Sequence, residues 1–388
     1  MIFCSLRSFL LVFVLLWLYV LETTAQSSAN GLSASAASRK IPTAVPFLRI
    51  APDAKIGAMG DAGVATPADA NALYSNPSKI AYAEEKAAVA ISYSPWLREL
   101  STDMYITYLG GYHQIDNKSA LGISAKYFSM GEIQLRDELF SSLGSYRATD
   151  LAFDATYARR FGSALSLATT FRFISSNIPD LTGVNGQSST SATALAVDIS
   201  AYHKSEIVIG KRAHGLAFGM NISNIGNKLS YLNSGEDMFL PTNLKLGSAL
   251  TINPGSPQQL LVALDLNKLL VPTPPRLNAE GEIVAGRNTE RSVVSGILGS
   301  FSDAPGGFSE EISEVSVGIG LEYLIYQRLA IRGGFSYESP DKGNRRYLTA
   351  GAGYQHSFMK IDFSYLFSTV PNSPLANSLR ISLMYAFQ

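Results

Sequence analysis

Chemistry requires polar side chains that converge, and few residues in this sequence have the types and spacing to do so. There are four histidines, His113, His203, His214 and His356, and one cysteine, Cys4. They are scattered along the chain, with no partner at the spacing of a catalytic triad or a metal site. His356-Ser357 is the one suggestive pair, but adjacent residues on a strand point to opposite faces. No G-x-S-x-G elbow, Walker loop or H-E-x-x-H stretch occurs. Gly57, Gly60 and Gly63 look superficially like a phosphate-cradling loop, yet no strand precedes them and no helical pattern follows. No cofactor or metal is expected, and no enzymatic role.

A second set of charged residues is patterned. Lys126, Asp154, Arg172, Asp198, Lys245, Asp265, Glu322, Arg332, Asp362 and Arg380 each fall on the less apolar face of an alternating segment. Their signs mostly alternate along the chain, which would let neighbouring strands pair opposite charges. A lysine or arginine facing mid-bilayer lipid costs ~2–4 kcal/mol, so this face is expected to line a lumen, cross-linked and closed rather than open. A soluble barrel would share the parity. It would not expose the aromatic and aliphatic side chains of the opposite face.

The elements that must position these residues are segments of about ten residues, running from Lys86 to the end of the sequence, in which apolar and polar side chains alternate. Leu379, Ile381, Leu383, Tyr385 and Phe387 take one parity, and Arg380, Ser382, Met384 and Ala386 the other. Comparable segments centre near Val89, Ile106, Ile123, Phe153, Leu167, Val197, Phe218, Leu246, Val262, Val317, Ile331, Ala350 and Phe363. That makes roughly fourteen strands, an even number as single-chain bacterial barrels require. Every second connection is short, as at 116–118, 161–163, 254–256, 326–327 and 357–358, with a longer turn at 203–213. The others are mostly long and irregular, at 131–148, 175–189, 226–240 and 271–311, with 97–101 a short exception. Short turns at one rim and long loops at the other predict an all-β, antiparallel, up-and-down transmembrane barrel, with periplasmic turns and extracellular loops.

Composition agrees. Only 16% of residues are charged and 46% are hydrophobic, with 19 Tyr, 19 Phe and 32 Gly. The 31 Lys plus Arg balance the 31 Asp plus Glu, so no basic field invites nucleic acid. Arg7, the apolar run 9–21 and Thr23-Thr24-Ala25 predict a signal peptide over residues 1–25, since the run is shorter than the ~20 residues of a spanning helix. A mature chain from Gln26 would have no thiols. Residues 26–46 read as a flexible tail and 47–85 as a compact hatch on the periplasmic side, with Asp53, Gly60, Asp61, Gly63, Asn76 and Pro77 as its key positions. The barrel is expected over 86–388.

The longest connection, 271–311, is not uniformly polar. It opens on the stiff stretch Pro272-Thr273-Pro274-Pro275. Val293, Val294, Ile297, Leu298 and Phe301 then recur at helical spacing until Ala304-Pro305. Such a helix either caps the barrel mouth or docks a partner.

Several stretches resemble one family in order along the chain. Pro46-Phe47-Leu48-Arg49-Ile50-Ala51-Pro52-Asp53-Ala54, Gly60-Asp61-Ala62-Gly63-Val64-Ala65-Thr66, Asn71 and Ser75-Asn76-Pro77-Ser78-Lys79 are similar to the N-terminal signature of PorV, an outer-membrane component of the type IX secretion system of Bacteroidetes. Tyr93-Ser94-Pro95-Trp96-Leu97 and Asp265 to Pro274 resemble later family segments. Ser78 departs from the Ala usual after Asn-Pro in this family and in FadL-type transporters. The resemblance implies a FadL-like barrel that receives cargo with a C-terminal signal domain as it leaves a large SprA-like translocon barrel, then carries it to a PorU-like surface sortase. Outer-membrane lipid and lipopolysaccharide would surround it. Two alternatives stand beside that reading: a FadL-type channel for hydrophobic molecules, and a lipopolysaccharide O-deacylase, from the family's other name LptO.

Overall fold

Side chains two apart on a strand share a face, so a sheet with lipid on one side and a filled interior on the other must alternate strictly. Strand β1 (Ala87–Pro95) does so: Ala88, Ala90, Ser92 and Ser94 are buried, while Val89, Ile91 and Tyr93 are exposed. The computed structural model of the protein describes residues 39–387 except 100, 137–141, 179–190, 232–236 and 372. The expected signal peptide and residues 26–38 lie outside the described residues.

The remaining strands are β2 (Tyr105–Gln114), β3 (Ser119–Arg136), β4 (Ser142–Phe161), β5 (Leu165–Asn177), β6 (Ala192–Ile209), β7 (Arg212–Gly226), β8 (Asn243–Ile252) and β9 (Gln258–Leu269). They continue as β10 (Arg276–Leu277), β11 (Ile283–Ala285), β12 (Val315–Ile325), β13 (Leu329–Tyr337), β14 (Arg346–His356), β15 (Met359–Ser368) and β16 (Ser378–Phe387). All but β10 and β11 close into a fourteen-strand antiparallel barrel, and β1 meets β16 in register from Ala87↔Phe387 to Tyr93↔Ile381. Closure leaves no edge whose backbone groups would go unpaired in lipid. Tyr93, Tyr105 and Tyr127 lie side by side with tilted rings near the long-loop rim, and Phe358, Tyr385 and Phe387 meet tilted or edge to face near the short-turn rim. These are the two interfacial girdles expected of such a barrel.

Two connections differ from the sequence reading. The stretch 131–148 is mostly ladder: β3 and β4 stay paired past a bulge between Ser129 and Glu132, out to Arg136↔Ser142. The 203–213 stretch is likewise strand, and β6 turns into β7 at 210–211, where Gly210 takes φ +68°. In both, polar side chains interrupt the apolar alternation, but a ladder needs only backbone N–H and C=O groups to continue.

Residues 39–86 form no strand. They carry 3-10 turns at Pro46–Arg49 and Pro77–Tyr82 and two one-turn helices, α1 (Ala54–Ala58) and α2 (Ala72–Ser75). Phe47 and Leu48 pack with Trp96, Phe128, Ile174 and Leu240 toward the long-loop rim. Ala70, Leu73 and Ile80 pack with Tyr112, Ala120, Ala158 and Ala168 toward the short-turn rim. The segment therefore threads the lumen from rim to rim instead of sitting at the turn side. The end of the expected tail is packed too: Ala44 and Val45 are buried, and Ala44 N donates to Phe239 O at 2.9 Å.

Phe171 sits mid-strand on the lipid face, 66% exposed. Replacing it with Arg should destabilise the bilayer-inserted barrel by ~2–4 kcal/mol in reversible unfolding from lipid vesicles. An unchanged midpoint would show that this face does not meet hydrocarbon.

Candidate functional site

The ten patterned charges divide into two groups. Six pair wall to wall. Arg172 binds Asp154 (Nε to Oδ1, 2.6 Å) and Asp198 (Nη2 to Oδ2, 3.0 Å), and Ser124 Oγ donates to Asp154 at 2.9 Å. On the other side, Arg332 binds Glu322 at 2.6 Å and Asp362 at 2.7 Å. Reaching Asp362 takes the guanidinium across β14 at Gly353, where an added Cβ would come within 2.7 Å of Arg332 Nη1. The remaining four, Lys126, Lys245, Asp265 and Arg380, do not join these pairs. Lys126, Asp265 and Arg380 turn to the lumen segment.

That segment has no ladder of its own, so side chains of the wall meet its backbone. Asp265 Oδ2 accepts from Gly63 N (2.7 Å) and Val64 N (2.9 Å). Ser382 Oγ accepts from Ala54 N at 2.8 Å, and Thr349 Oγ1 accepts from Gly60 N at 3.0 Å while donating to Ala58 O at 2.9 Å. Lys126 Nζ donates to Phe47 O and Ile50 O, Asn221 Nδ2 to Ser75 O, and Ser166 Oγ to Ser78 O. Gly60, at φ +64°, lies so close to the wall that a Cβ there would be 2.6 Å from Phe335 N.

The expected hatch positions serve the same end. Asp53 caps α1, its Oδ1 accepting from Ile56 N at 2.8 Å. Asp61 is held by Arg380 Nη1 (3.3 Å) and the Tyr347 hydroxyl. Asn76 Nδ2 donates to Val64 O (3.0 Å) and Ala201 O (2.9 Å), its Oδ1 accepts from Ser78, and Pro77 starts the 3-10 turn. Two lysines that the sequence reading did not single out lock the segment to itself: Lys55 pairs with Asp69 at 2.8 Å, and Lys79 Nζ donates to Gly63 O at 2.6 Å. Replacing Asp265 with Ala strands two buried amides, at roughly 1–3 kcal/mol each. A cysteine at Ala58 should then label at least about tenfold faster in the folded barrel. Equal labelling rates would show that the segment is held without Asp265.

The long-loop rim carries a second construction. The 271–311 connection contains the β10–β11 hairpin and two helices, α3 (Val293–Gly299) and α4 (Phe308–Ser313), where the sequence suggested one helix running to Ala304. Ser292 caps α3, and Gly296 seats it against Phe239 and Pro272. Pro272 is buried, with Pro274 and Pro275 half-buried behind it. Val293 and Ile297 are half-buried, whereas Val294 (67%) and Leu298 (70%) on α3, Phe301 beyond its end, and Phe308 (81%) and Ile312 on α4 are exposed. Below them the loop is clamped. Lys268 Nζ binds Glu311 (2.9 Å) and Glu314 (2.6 Å), and Lys342 Nζ binds Glu310 (2.7 Å) and Glu314 (2.8 Å). Arg39 adds a bond to Glu310 at 2.9 Å. Glu310, Glu311 and Glu314 share one face at helical spacing, which was the available signal for this clamp in the sequence.

Asp303 is buried beside the clamp with neither carboxylate oxygen hydrogen-bonded. Burial pushes its carboxyl up to about 6, with Glu311 and Glu314 adding to the effect; the Thr273 amide and Arg291 pull the other way without closing a bond. The folded value lies above the unfolded one, so the cost of charging Asp303 is absent at low pH and complete above about pH 6. Asp303→Asn should therefore slow proteolysis of this loop at about pH 7.5, with the advantage shrinking toward about pH 5. An advantage independent of pH would rule out the charge as its cause.

Residues 33–276 match the family described as type IX secretion system protein PorV. Among solved structures, the TodX deltaS2S3 mutant monoaromatic hydrocarbon channel is similar at a TM-score of 0.53 and 13% identity, over 86% of this chain and 98% of that one. The Pseudomonas putida toluene transporter TodX gives 0.49 and 13%, over 85% and 96%. A Pseudomonas aeruginosa FadL homologue gives 0.42 and 12%, over 91% and 100%. At such identities the first likeness establishes a shared barrel fold and nothing more. No curated protein matches the sequence. The family match spans the lumen segment and β1 through β9, more than half of the sequence, and the chain belongs to the PorV family of type IX secretion system outer-membrane proteins.

Proposed function

We propose that this barrel captures secreted cargo at its long-loop rim as the cargo leaves a SprA-like translocon, and delivers it to a PorU-like sortase at the cell surface. The observation that carries the reading is the set of apolar side chains, Val294, Leu298, Phe301, Phe308 and Ile312, exposed on a loop whose base is clamped by ion pairs. Several large apolar side chains left open on one loop offer a surface that a partner can cover. A clamped scaffold also loses little conformational freedom on binding. The filled lumen favours capture at the rim over the passage of hydrophobic molecules, because the lumen segment is bonded to the wall along its length. In the orientation general for such barrels, the long loops face outward, where surface delivery takes place.

The double variant Val294→Asp/Leu298→Asp alters exposed side chains only. It should insert into the outer membrane normally yet lose co-purification with translocon and cargo, as expected where hot-spot side chains supply ≥ ~2 kcal/mol each. Deleting residues 288–305 should do the same and stop surface delivery. If both variants insert and secretion continues at the normal rate, the loop is a lid and the binding surface lies elsewhere.

A further inference from the structure

We propose that a polar chamber just inside the long-loop rim binds a small tetrahedral oxyanion, phosphate or sulfate, either free or as the exposed part of a lipid headgroup. The inference is independent of cargo capture. The chamber measures about 50 Å³ and lies between Arg49, Asp61 and Tyr74 of the lumen segment and Asn243, Lys245 and Arg345 of the wall and rim. A single water needs ~10–15 Å³ on the same measure, so the space suits a few waters or one oxyanion. Solvent reaches it: the Arg345, Asp61 and Arg49 side chains are 34%, 30% and 21% exposed.

Its charge is unbalanced. Three cations, Arg49, Lys245 and Arg345, line the chamber against two carboxylates, Asp61 and Glu338. Both carboxylates are already engaged. Glu338 accepts from Arg345 Nε (2.7 Å), Arg345 Nη2 (2.9 Å) and Arg49 Nη2 (3.3 Å). Asp61 accepts from Tyr347 and from a fourth cation, Arg380. Lys245 is left with no ion pair or hydrogen bond among the described residues; its Nζ lies 4.8 Å from the centre of the Tyr74 ring. Lys126 Nζ lies 4.7 Å from the centre of the same ring, so one aromatic neighbours two ammonium groups. Like charges held together in a confined space raise the affinity of that space for an anion.

Asn243 supplies an independent sign. It is 4% exposed, and its Oδ1 has no partner. An amide is readily turned end for end, which would present its N–H groups to an anion in the chamber. Guanidinium and ammonium donors around an oxyanion make charge-assisted bonds, and the several acceptor oxygens of phosphate or sulfate suit them better than chloride does.

The test uses the purified full-length barrel in detergent, titrated calorimetrically with sodium phosphate or sodium sulfate at ionic strength held constant with sodium chloride. Saturable one-site binding is expected, weakened at least about tenfold by Lys245→Met and by Asn243→Asp, and retained by Lys245→Arg. Phosphorus NMR of protein purified without added phosphate distinguishes the sources. A lipid signal displaced by inorganic phosphate identifies a headgroup, and phosphate binding without such a signal identifies the free ion; either supports the site. Absence of saturable binding to the unmodified protein, binding that chloride matches, or equal binding by a folded Lys245→Met or Asn243→Asp variant would overturn it.

Discussion

Inside a bilayer no water is available to a backbone amide, so every N–H and C=O at that depth must find its partner within the protein. The strands meet this demand by closing on themselves. The lumen segment has no ladder; its short turns pair some of its own groups, and side chains of the wall pair others. That requirement accounts for much of the interior: Asp265, Thr349, Ser382, Asn221, Ser166 and Lys126 all point inward and all bond to main-chain groups of the segment. The interior is polar because it solvates a piece of its own chain.

The same demand separates the interior charges by task. Arg172 with Asp154 and Asp198, and Arg332 with Glu322 and Asp362, join strands to strands. Buried pairs of this kind add little net stability once desolvation is counted, but removing one partner is severe. They join strands that lie side by side in the wall: Asp154 stands opposite Arg172 on β4 and β5, and Glu322 opposite Arg332 on β12 and β13. Arg332 illustrates the cost in sequence freedom, since its reach across β14 leaves room only for glycine at position 353. Lys126, Asp265 and Arg380 instead hold the segment, and Lys245 faces a chamber that has an excess of positive charge.

The barrel was legible in the sequence because lipid imposes a period of two, which strands such as β1 and β5 keep along their length. Strand ends were not, because a ladder can outrun its apolar alternation, as at 203–213 and 131–148. The charged face was visible by parity, but not the division of its members: Asp265 and Asp362 have the same parity signal, and only the segment's path decides that one meets amides and the other a guanidinium. The second rim helix was hidden because six residues, Phe308–Ser313, are too few to show a helical period. Asp53, Gly60 and Asn76 could be picked out by residue type, whereas Lys55 and Lys79 could not, since lysine is ordinarily a surface residue.

The path of the lumen segment also constrains how the molecule is made. Its first described residues lie at one mouth of the barrel, and it joins β1 at the other. A barrel that had already closed could be filled only by drawing the chain that precedes β1 through its whole depth. Strands wrapping around a segment already in place face no such obstacle. The part synthesised first would then serve as a mandrel, and β16, which carries both Ser382 and Arg380, would grip it as the last seam zips to β1. On that route filling the lumen and sealing the wall would be one event, because the strand that closes the seam is also one that bonds to the segment.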